Sequence, residues 1–147
     1  MTTCSRSVKI VADCPLQDVA DKDVFDCVVL PGGGKGAEIF ANSQIVRDVL
    51  EKHQAAGKFV AAICAAPTAL LAHDIGKGKK ITSYPAFKDK LSKDYNYSED
   101  RVVVDGKLVT SQGPGTTFEF AFKLVELLLG DATVADELKS QTLALTA

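Results

Sequence analysis

The chain has 147 residues, of which 46% are hydrophobic and 24% are charged, and its formal net charge at pH 7 is −2. These ordinary values predict one globular domain over residues 1–147. The chain has no excess of basic residues, so a specific nucleic-acid partner is not indicated. The four cysteines form no C-x-x-C pair, the two histidines are not spaced for a metal site, and the longest apolar run, over residues 59–72, is too short to span a membrane.

The first thirty residues contain two predicted strands. The N-terminus lacks an apolar leader, which is typical of a cytoplasmic protein with reduced thiols. Residues 8–12 and 25–30 are rich in β-branched side chains and predict strands, with a short helix over residues 16–20 between them.

A glycine cluster at residues 31–36 directly follows the second strand. Glycines there let backbone amides approach a ligand or anion closely. The cluster matches neither of the common glycine-rich nucleotide motifs, so a nucleotide site is not indicated. A helix from Asn42 or Ser43 to Ala56 comes next, and His53 on its apolar face is expected to cover a helix edge rather than bind a ligand.

The turn around Cys64 is the strongest candidate site. An apolar run over residues 58–63 predicts a strand buried on both faces, and Pro67 predicts the first turn of a helix. Amides and the dipole at such a helix start would stabilise a thiolate, and the geometry is that of a nucleophile elbow. The alternative is that Cys64 is an inert buried thiol of the strand, as free cysteines often are.

Further strands are predicted in the second half of the chain. A strand at residues 81–83 and an amphipathic segment at residues 87–91 precede an alternating stretch over residues 101–110. Asp105-Gly106, in the middle of that stretch, is a strong hairpin signal.

Two helices close the chain. Thr116 and Glu119 predict a capping box for a helix that ends before Gly130, and a final helix covers residues 131–139, leaving a tail that is ordered only if it docks. Strands that alternate with helices, plus a late hairpin, predict an α/β sandwich around a mainly parallel sheet. Ligands bind such sheets at the carboxyl ends of the strands.

Four segments carry a resemblance to a known family, namely VVLPGG (residues 28–33), AAICAAPTALLAH (61–73), YSEDRV (97–102) and TSQGPGT (110–116). Together they resemble the DJ-1 branch of the DJ-1/PfpI superfamily over nearly the whole chain. The resemblance implies a flavodoxin-like fold with helices on both faces of the sheet, a homodimer, and no cofactor. It also implies a location in the cytoplasm, and in the nucleus or mitochondria.

The resemblance also implies site residues and an activity. Cys64 corresponds to the family nucleophile, a reactive cysteine that acts on methylglyoxal and on glycated proteins. The resemblance also implies that this cysteine senses peroxide and that the protein has chaperone-like roles. The amides of Gly33 and Ala65 correspond to the oxyanion-binding pair. The substrate-binding positions implied are Gly32, Tyr84, Gln112, Gly113 and Pro114. Residues 4–6 resemble the family segment near the dimer interface.

Three departures from the family pattern bear on activity. Tyr84 stands where the family has histidine, and a phenol is not a base near neutral pH. Gln112 replaces an arginine, which weakens any anion clamp. The family also begins with a strand–helix unit that carries a buried glutamate, and about 30–40 residues of this kind have no counterpart here. We therefore expect the chain alone to be aggregation-prone, with little turnover.

Two classes of function stay open at this point. One is a cysteine-dependent glyoxalase or deglycase, favoured by the elbow and the glycine loop. The other is a non-catalytic redox sensor or chaperone-like dimer, which needs only an oxidisable Cys64. Glu38 follows the glycine loop, but we expect it to be the solvated start of a helix rather than the acid–base group, and His73 lies at the far end of the elbow helix.

Overall fold

The fold is that of a computed structural model, which describes residues 1–22 and 24–144. Its N-terminal part is a short antiparallel pair, β1 (Thr2–Thr3) with β2 (Lys9–Ile10). The strand predicted over residues 8–12 is therefore shorter than expected, and the helix predicted over residues 16–20 is a single 3-10 turn. No described residue before Leu30 is buried, so no core holds longer elements in place here.

The following elements alternate between strands and helices. They are β3 (Cys27–Leu30), α1 (Gly34–Ala41), α2 (Gln44–Ala55), β4 (Phe59–Ile63), α3 (Pro67–Ala72), β5 (Lys80–Ile81), α4 (Lys88–Leu91), β6 (Asn96–Tyr97), β7 (Val102–Asp105), β8 (Leu108–Ser111), α5 (Thr117–Leu129) and α6 (Ala132–Gln141). Among the residues that the structure describes, no helix is long and apolar enough to cross a membrane.

The main sheet has the strand order β3-β4-β8-β7. Its first three strands are parallel, and β7 runs antiparallel to β8. This arrangement confirms the mainly parallel sheet with a late hairpin. The register pairs Leu30 with Ala62 and Ile63 with Ser111, so the carboxyl ends of three strands meet at one edge. The candidate site lies at that edge.

Helices cover both faces of the sheet. One core cluster joins the sheet to α2, α3 and α4, with Leu50, Leu70 and Leu91 fully buried. A second cluster lies on the opposite face, where Phe120 of α5 packs among Phe59, Ala61, Ile63 and Val109. The two clusters confirm the flavodoxin-like sandwich, because each face of a buried parallel sheet must be covered by helices.

The outer edge of β3 is open in the described part of the chain. The Asp26 carbonyl accepts a hydrogen bond from the Phe59 amide (3.0 Å). Because the backbone groups of successive residues point to opposite sides of a strand, this bond fixes which residues of β3 face β4. The amides of Cys27 and Val29 therefore point away from β4. Val29 is also 44% exposed, so this edge presents both polar backbone and apolar side chain to its surroundings.

Of three sequence expectations about helices, one is refined, one is wrong and one is confirmed. The helix α1 was expected only from Glu38 onward, but it begins at Gly34 inside the glycine cluster. The capping box of Thr116 and Glu119 is wrong, since the Thr116 hydroxyl bonds Ser111 and Gly113 and the Glu119 carboxylate binds Arg101. The predicted final helix is confirmed as α6.

The chain turns are mostly as expected. Gly106 (φ 62°) makes the turn of the β7–β8 hairpin, and Gly130 (φ 67°) ends α5 in the left-handed conformation. The Asp131 carboxylate caps α6 by accepting from the Thr133 amide at 2.9 Å. Of the C-terminal tail, residues 145–147 lie outside the described residues.

Candidate active site

Cys64 lies on the turn between β4 and α3 with a φ of 66°. A non-glycine residue in this left-handed region costs about 1–2 kcal/mol, so the surrounding structure must hold it there. Two backbone hydrogen bonds do so: the Cys64 amide donates to the Ser111 carbonyl (3.0 Å), and the Tyr84 amide donates to the Cys64 carbonyl (2.9 Å). The half-buried thiol thus stands at the carboxyl edge of the sheet on a strained turn.

The backbone of Gly32 passes directly beside Cys64. A Cβ atom at residue 32 would lie 2.8 Å from the Cys64 Cβ and 3.5 Å from its Sγ. Only glycine therefore allows the loop after β3 to approach the cysteine this closely. This contact brings the glycine cluster and the elbow together, as the sequence predicted for two strand ends at one edge.

Two amides next to the Cys64 turn lack a backbone hydrogen-bond partner in the described part of the chain. Within the described residues, neither the Gly33 nor the Ala65 amide donates a hydrogen bond to the protein backbone. Gly33 is the N-cap of α1, and the Ala65 carbonyl accepts from both the amide (3.1 Å) and the hydroxyl (2.7 Å) of Thr68. The first turns of α1 and α3 contain no acidic residue, so the positive ends of both helices stay unneutralised at this edge.

Tyr84 and Gly113 form the side of the site that faces the glycine loop across Cys64. Tyr84 is 48% exposed, and its Cδ2 atom lies 3.5 Å from where a Gly113 Cβ would be. Behind it, the Ser83 and Tyr97 hydroxyls are hydrogen-bonded at 3.0 Å. Tyr84 is therefore a partly exposed side chain beside Gly113, directly after the amide that bonds the Cys64 carbonyl.

Gln112 and Pro114 are less directly placed. The Gln112 side-chain amide donates to the Glu99 carbonyl at 2.9 Å, so its nitrogen is used to hold the loop before β7. Pro114 is exposed and begins the short 3-10 turn Pro114–Thr116. The structure thus brings Gly32, Gly33, Cys64, Ala65, Tyr84 and Gly113 together, and sets Gln112 and Pro114 around them.

Arg101 is an organising residue that sequence reasoning did not identify. Its guanidinium binds the Glu119 carboxylate (2.7–3.0 Å) and also donates to the Gly115 carbonyl at 2.7 Å. The pair therefore fixes the Gly113–Thr116 loop against α5. Glu119 lies 18 residues further along the chain, a separation that no sequence periodicity reveals.

The side chains considered as acid–base groups lie elsewhere. His73 is buried, and its Nε2 atom is 2.7 Å from the Phe40 carbonyl, so the ring ties α3 to α1. His53 is likewise buried on α2, with Nδ1 2.7 Å from the Val49 carbonyl, as expected for a helix edge. Glu38 is an exposed residue of α1. The described residues contain no group of three metal-binding side chains.

Comparisons with known proteins identify relatives of this chain. The family model described as "DJ-1/PfpI family" matches residues 1–127. Protein DJ-1alpha of Drosophila melanogaster is 53% identical over 135 residues, and the glutathione-independent glyoxalase DJR-1.2 of Caenorhabditis elegans is 39% identical over 142 residues. The match covers 91% of this chain and 62% of DJ-1alpha, so the chain spans about three fifths of that relative's length. For DJR-1.2 the shares are 96% and 75%.

A solved structure is similarly close. The crystal structure of Drosophila melanogaster DJ-1beta superimposes with a TM-score of 0.93 at 44% identity. The match covers 98% of this chain and 77% of that one. Fold and sequence therefore point to the same relatives.

Proposed function

Because the chain belongs to the DJ-1/PfpI family, we propose that it is a glyoxalase-type enzyme that uses Cys64 to convert small α-oxoaldehydes into 2-hydroxy acids. The observation that carries the proposal is the position of Cys64 on a left-handed turn beside Gly32, at an edge where two amides are free. The name of the Caenorhabditis elegans relative, a glutathione-independent glyoxalase, supports the same reaction class. Removal of sugar-derived adducts from proteins would use the same thiol.

The reaction begins with addition of the thiolate to the aldehyde carbon. A carbon–sulfur bond forms, and the carbonyl π electrons move to the oxygen. The resulting oxyanion is stabilised by the amides of Gly33 and Ala65 and by the N-terminal ends of α1 and α3. Preorganised donors of this kind are worth about 3–4 kcal/mol each in known acyl-transfer sites.

The second stage moves a proton from the former aldehyde carbon to the neighbouring carbonyl carbon. This shift, together with transfer of the hydroxyl proton of the hemithioacetal to the neighbouring carbonyl oxygen, gives a thioester of a 2-hydroxy acid, and water then releases the acid and restores the thiol. The sum is one α-oxoaldehyde plus one water to one 2-hydroxy acid, without an external oxidant or reductant. We assign Tyr84 a hydrogen-bonding part at the rim, because its phenol is exposed beside the site and neutral near pH 7.

The test follows methylglyoxal consumption and lactate formation with the purified chain. We expect a low wild-type rate for the chain alone, a complete loss of that rate in Cys64→Ala, and only a reduction in Tyr84→Phe, since the phenol only orients the substrate. Equal rates of methylglyoxal consumption for wild type and Cys64→Ala would rule out the proposed Cys64-dependent glyoxalase activity.

A redox role for the same thiol is the second candidate. Burial raises the pKa of Cys27 to about 11, which disfavours its reactive thiolate, whereas Cys64 stands beside two helix N-termini. We therefore propose that Cys64 is the most peroxide-sensitive thiol. Alkylation and oxidation rates mapped by mass spectrometry would test this, and faster reaction at Cys4, Cys14 or Cys27 in folded protein would contradict it.

We further propose that the chain acts as a homodimer. The N-terminal pair of strands supports this, because Val8, Ile10 and Val11 are 54–75% exposed, which is more apolar surface than a small hairpin keeps in water without cost. Light scattering across a concentration series would show a single monomeric mass if the proposal is wrong.

A further inference from the structure

We propose that Lys35 makes the Cys64 site prefer α-oxoaldehydes that carry a negative charge over neutral ones of the same size. The inference rests on the proposed function and names its substrate class. The effect of the Lys35 charge can, however, be measured from the rate at which Cys64 reacts with charged and uncharged alkylating reagents, without any turnover of substrate.

Lys35 is the second residue of α1, the helix that begins at the site. It follows Gly32 by three residues, and Gly32 is the residue whose backbone touches Cys64. Three residues span at most about 11 Å, and the lysine ammonium sits on a flexible four-carbon stem. Lys35 is exposed and forms no side-chain hydrogen bond in the described part of the chain, so we infer that its ammonium is free to reach the entrance to the thiol.

The ammonium of Lys35 has no ion-pair partner among the described residues, unlike the other cations near this edge. Lys88 is paired with Glu99, and Arg101 is paired with Glu119. The nearest acid along α1 is the exposed Glu38, one helical turn further from the site, and it makes no ion pair with Lys35. The charge of Lys35 is thus not held in an ion pair within the described residues, and we infer that it acts on a molecule that approaches Cys64.

The position of this lysine is unfavourable for the helix itself. A cation in the first turn is repelled by the positive end of the helix dipole, and α1 has no acid in that turn to offset it. In the same position, the positive charge of Lys35 adds to the positive electrostatic potential produced by the unpaired amides of Gly33 and Ala65. The charge therefore acts on whatever molecule approaches Cys64.

The expected size of the preference follows from Coulomb's law. Two unit charges about 10 Å apart attract by an amount equal to about 2-fold in rate at a dielectric constant of 80 and about 15-fold at 20. Salt screens this attraction, since the Debye length falls from about 30 Å at 0.01 M to about 3 Å at 1 M. We expect a preference of about 2- to 15-fold at low salt that disappears in 1 M salt.

The first experiment compares alkylation of Cys64 by iodoacetate and by iodoacetamide, which differ chiefly in charge. A change in the thiolate population alters both rates alike, so the ratio of the two rates isolates the field at the sulfur. Lys35→Gln should lower the iodoacetate-to-iodoacetamide ratio by about 2- to 15-fold at 0.01 M salt, and Lys35→Glu should lower it further. Lys107→Gln is the control for loss of a lysine away from the site, because Lys107 directly precedes β8 at the opposite end of the sheet and its ammonium lies over the Phe59 ring, 3.9 Å from the centroid.

The second experiment compares kcat/KM for 4,5-dioxopentanoate and for uncharged 2-oxopentanal, two α-oxoaldehydes of equal carbon number. Lys35→Gln should lower the ratio for the charged substrate and leave the uncharged one nearly unchanged. An alkylation ratio that Lys35→Gln does not alter would overturn the proposal, whatever the turnover. An altered alkylation ratio with no turnover of either substrate would support the charge effect of Lys35 and reject the proposed enzyme.

Discussion

Replacing Cys64 by glycine should make the fold more stable than replacing it by alanine. Residue 64 has a φ of 66°, which costs a non-glycine residue about 1–2 kcal/mol. Glycine avoids that cost but loses about 0.5–1 kcal/mol more backbone entropy on folding. The net advantage of Cys64→Gly over Cys64→Ala is therefore about 0.75 kcal/mol, from a range of about 0–1.5 kcal/mol, and neither variant has a thiol.

Thermal and urea unfolding of the two variants would measure this difference. For a domain of this size, about 1 kcal/mol moves the midpoint by about 2–4 °C, which is readily resolved. Ala121→Gly is the control with the opposite sign, because Ala121 is exposed in the middle of α5 and glycine there should cost about 1 kcal/mol. A melting temperature of the Cys64→Gly protein at or below that of the Cys64→Ala protein would contradict the left-handed conformation of residue 64.

Three further outcomes follow from the same structure. Gly32→Ala should destabilise the fold by about 1–3 kcal/mol and slow alkylation of Cys64, because its Cβ would lie 2.8 Å from the Cys64 Cβ, whereas Gly34→Ala, with open space around it, should be tolerated in both assays. Burial raises the pKa of Cys27 to about 11, so the unfolded chain loses this proton first. The associated stability should be present below about pH 8.5 and be lost as the pH rises toward 11, an effect that urea titrations would find absent in Cys27→Ala. In hydrogen exchange, the amides of Cys27 and Val29 should exchange faster than those of β4, which pairs on both sides; equal protection would show that the β3 edge is covered.

The elbow could be predicted because its signals are local. An apolar run followed by small residues and Pro67 fixes where β4 stops and α3 starts, whatever the rest of the chain does. The β7–β8 hairpin was predictable for the same reason, since Gly106 supplies the positive φ that its turn needs.

The first half of α1 was missed because its local signals favour a loop. Gly34 and Gly36 lower helix propensity, and the helix is held by tertiary contacts instead. Ala37 is buried against the core, and the His73 ring bonds the Phe40 carbonyl near the end of α1. None of these contacts leaves a pattern in the sequence.

The surroundings of the thiol were only partly predictable. The family resemblance placed Tyr84 and Gln112 near Cys64, but it did not show that the Gln112 amide is bound by the Glu99 carbonyl. The predicted capping box failed because Arg101 competes for Glu119 with two charge-assisted hydrogen bonds, which are stronger than one bond to a backbone amide.

The two hydrogen bonds that fix the Cys64 turn also set the order in which the site is assembled. Their partners are residues 84 and 111, which are synthesised well after the cysteine. A growing chain that ends before residue 111 therefore carries the thiol without the contact that closes its turn on β8. Long-range contacts of this kind form late in folding. Any reactivity of Cys64 above that of an unfolded cysteine should accordingly appear together with the completed sheet during refolding, so that the cysteine reports when the domain is finished.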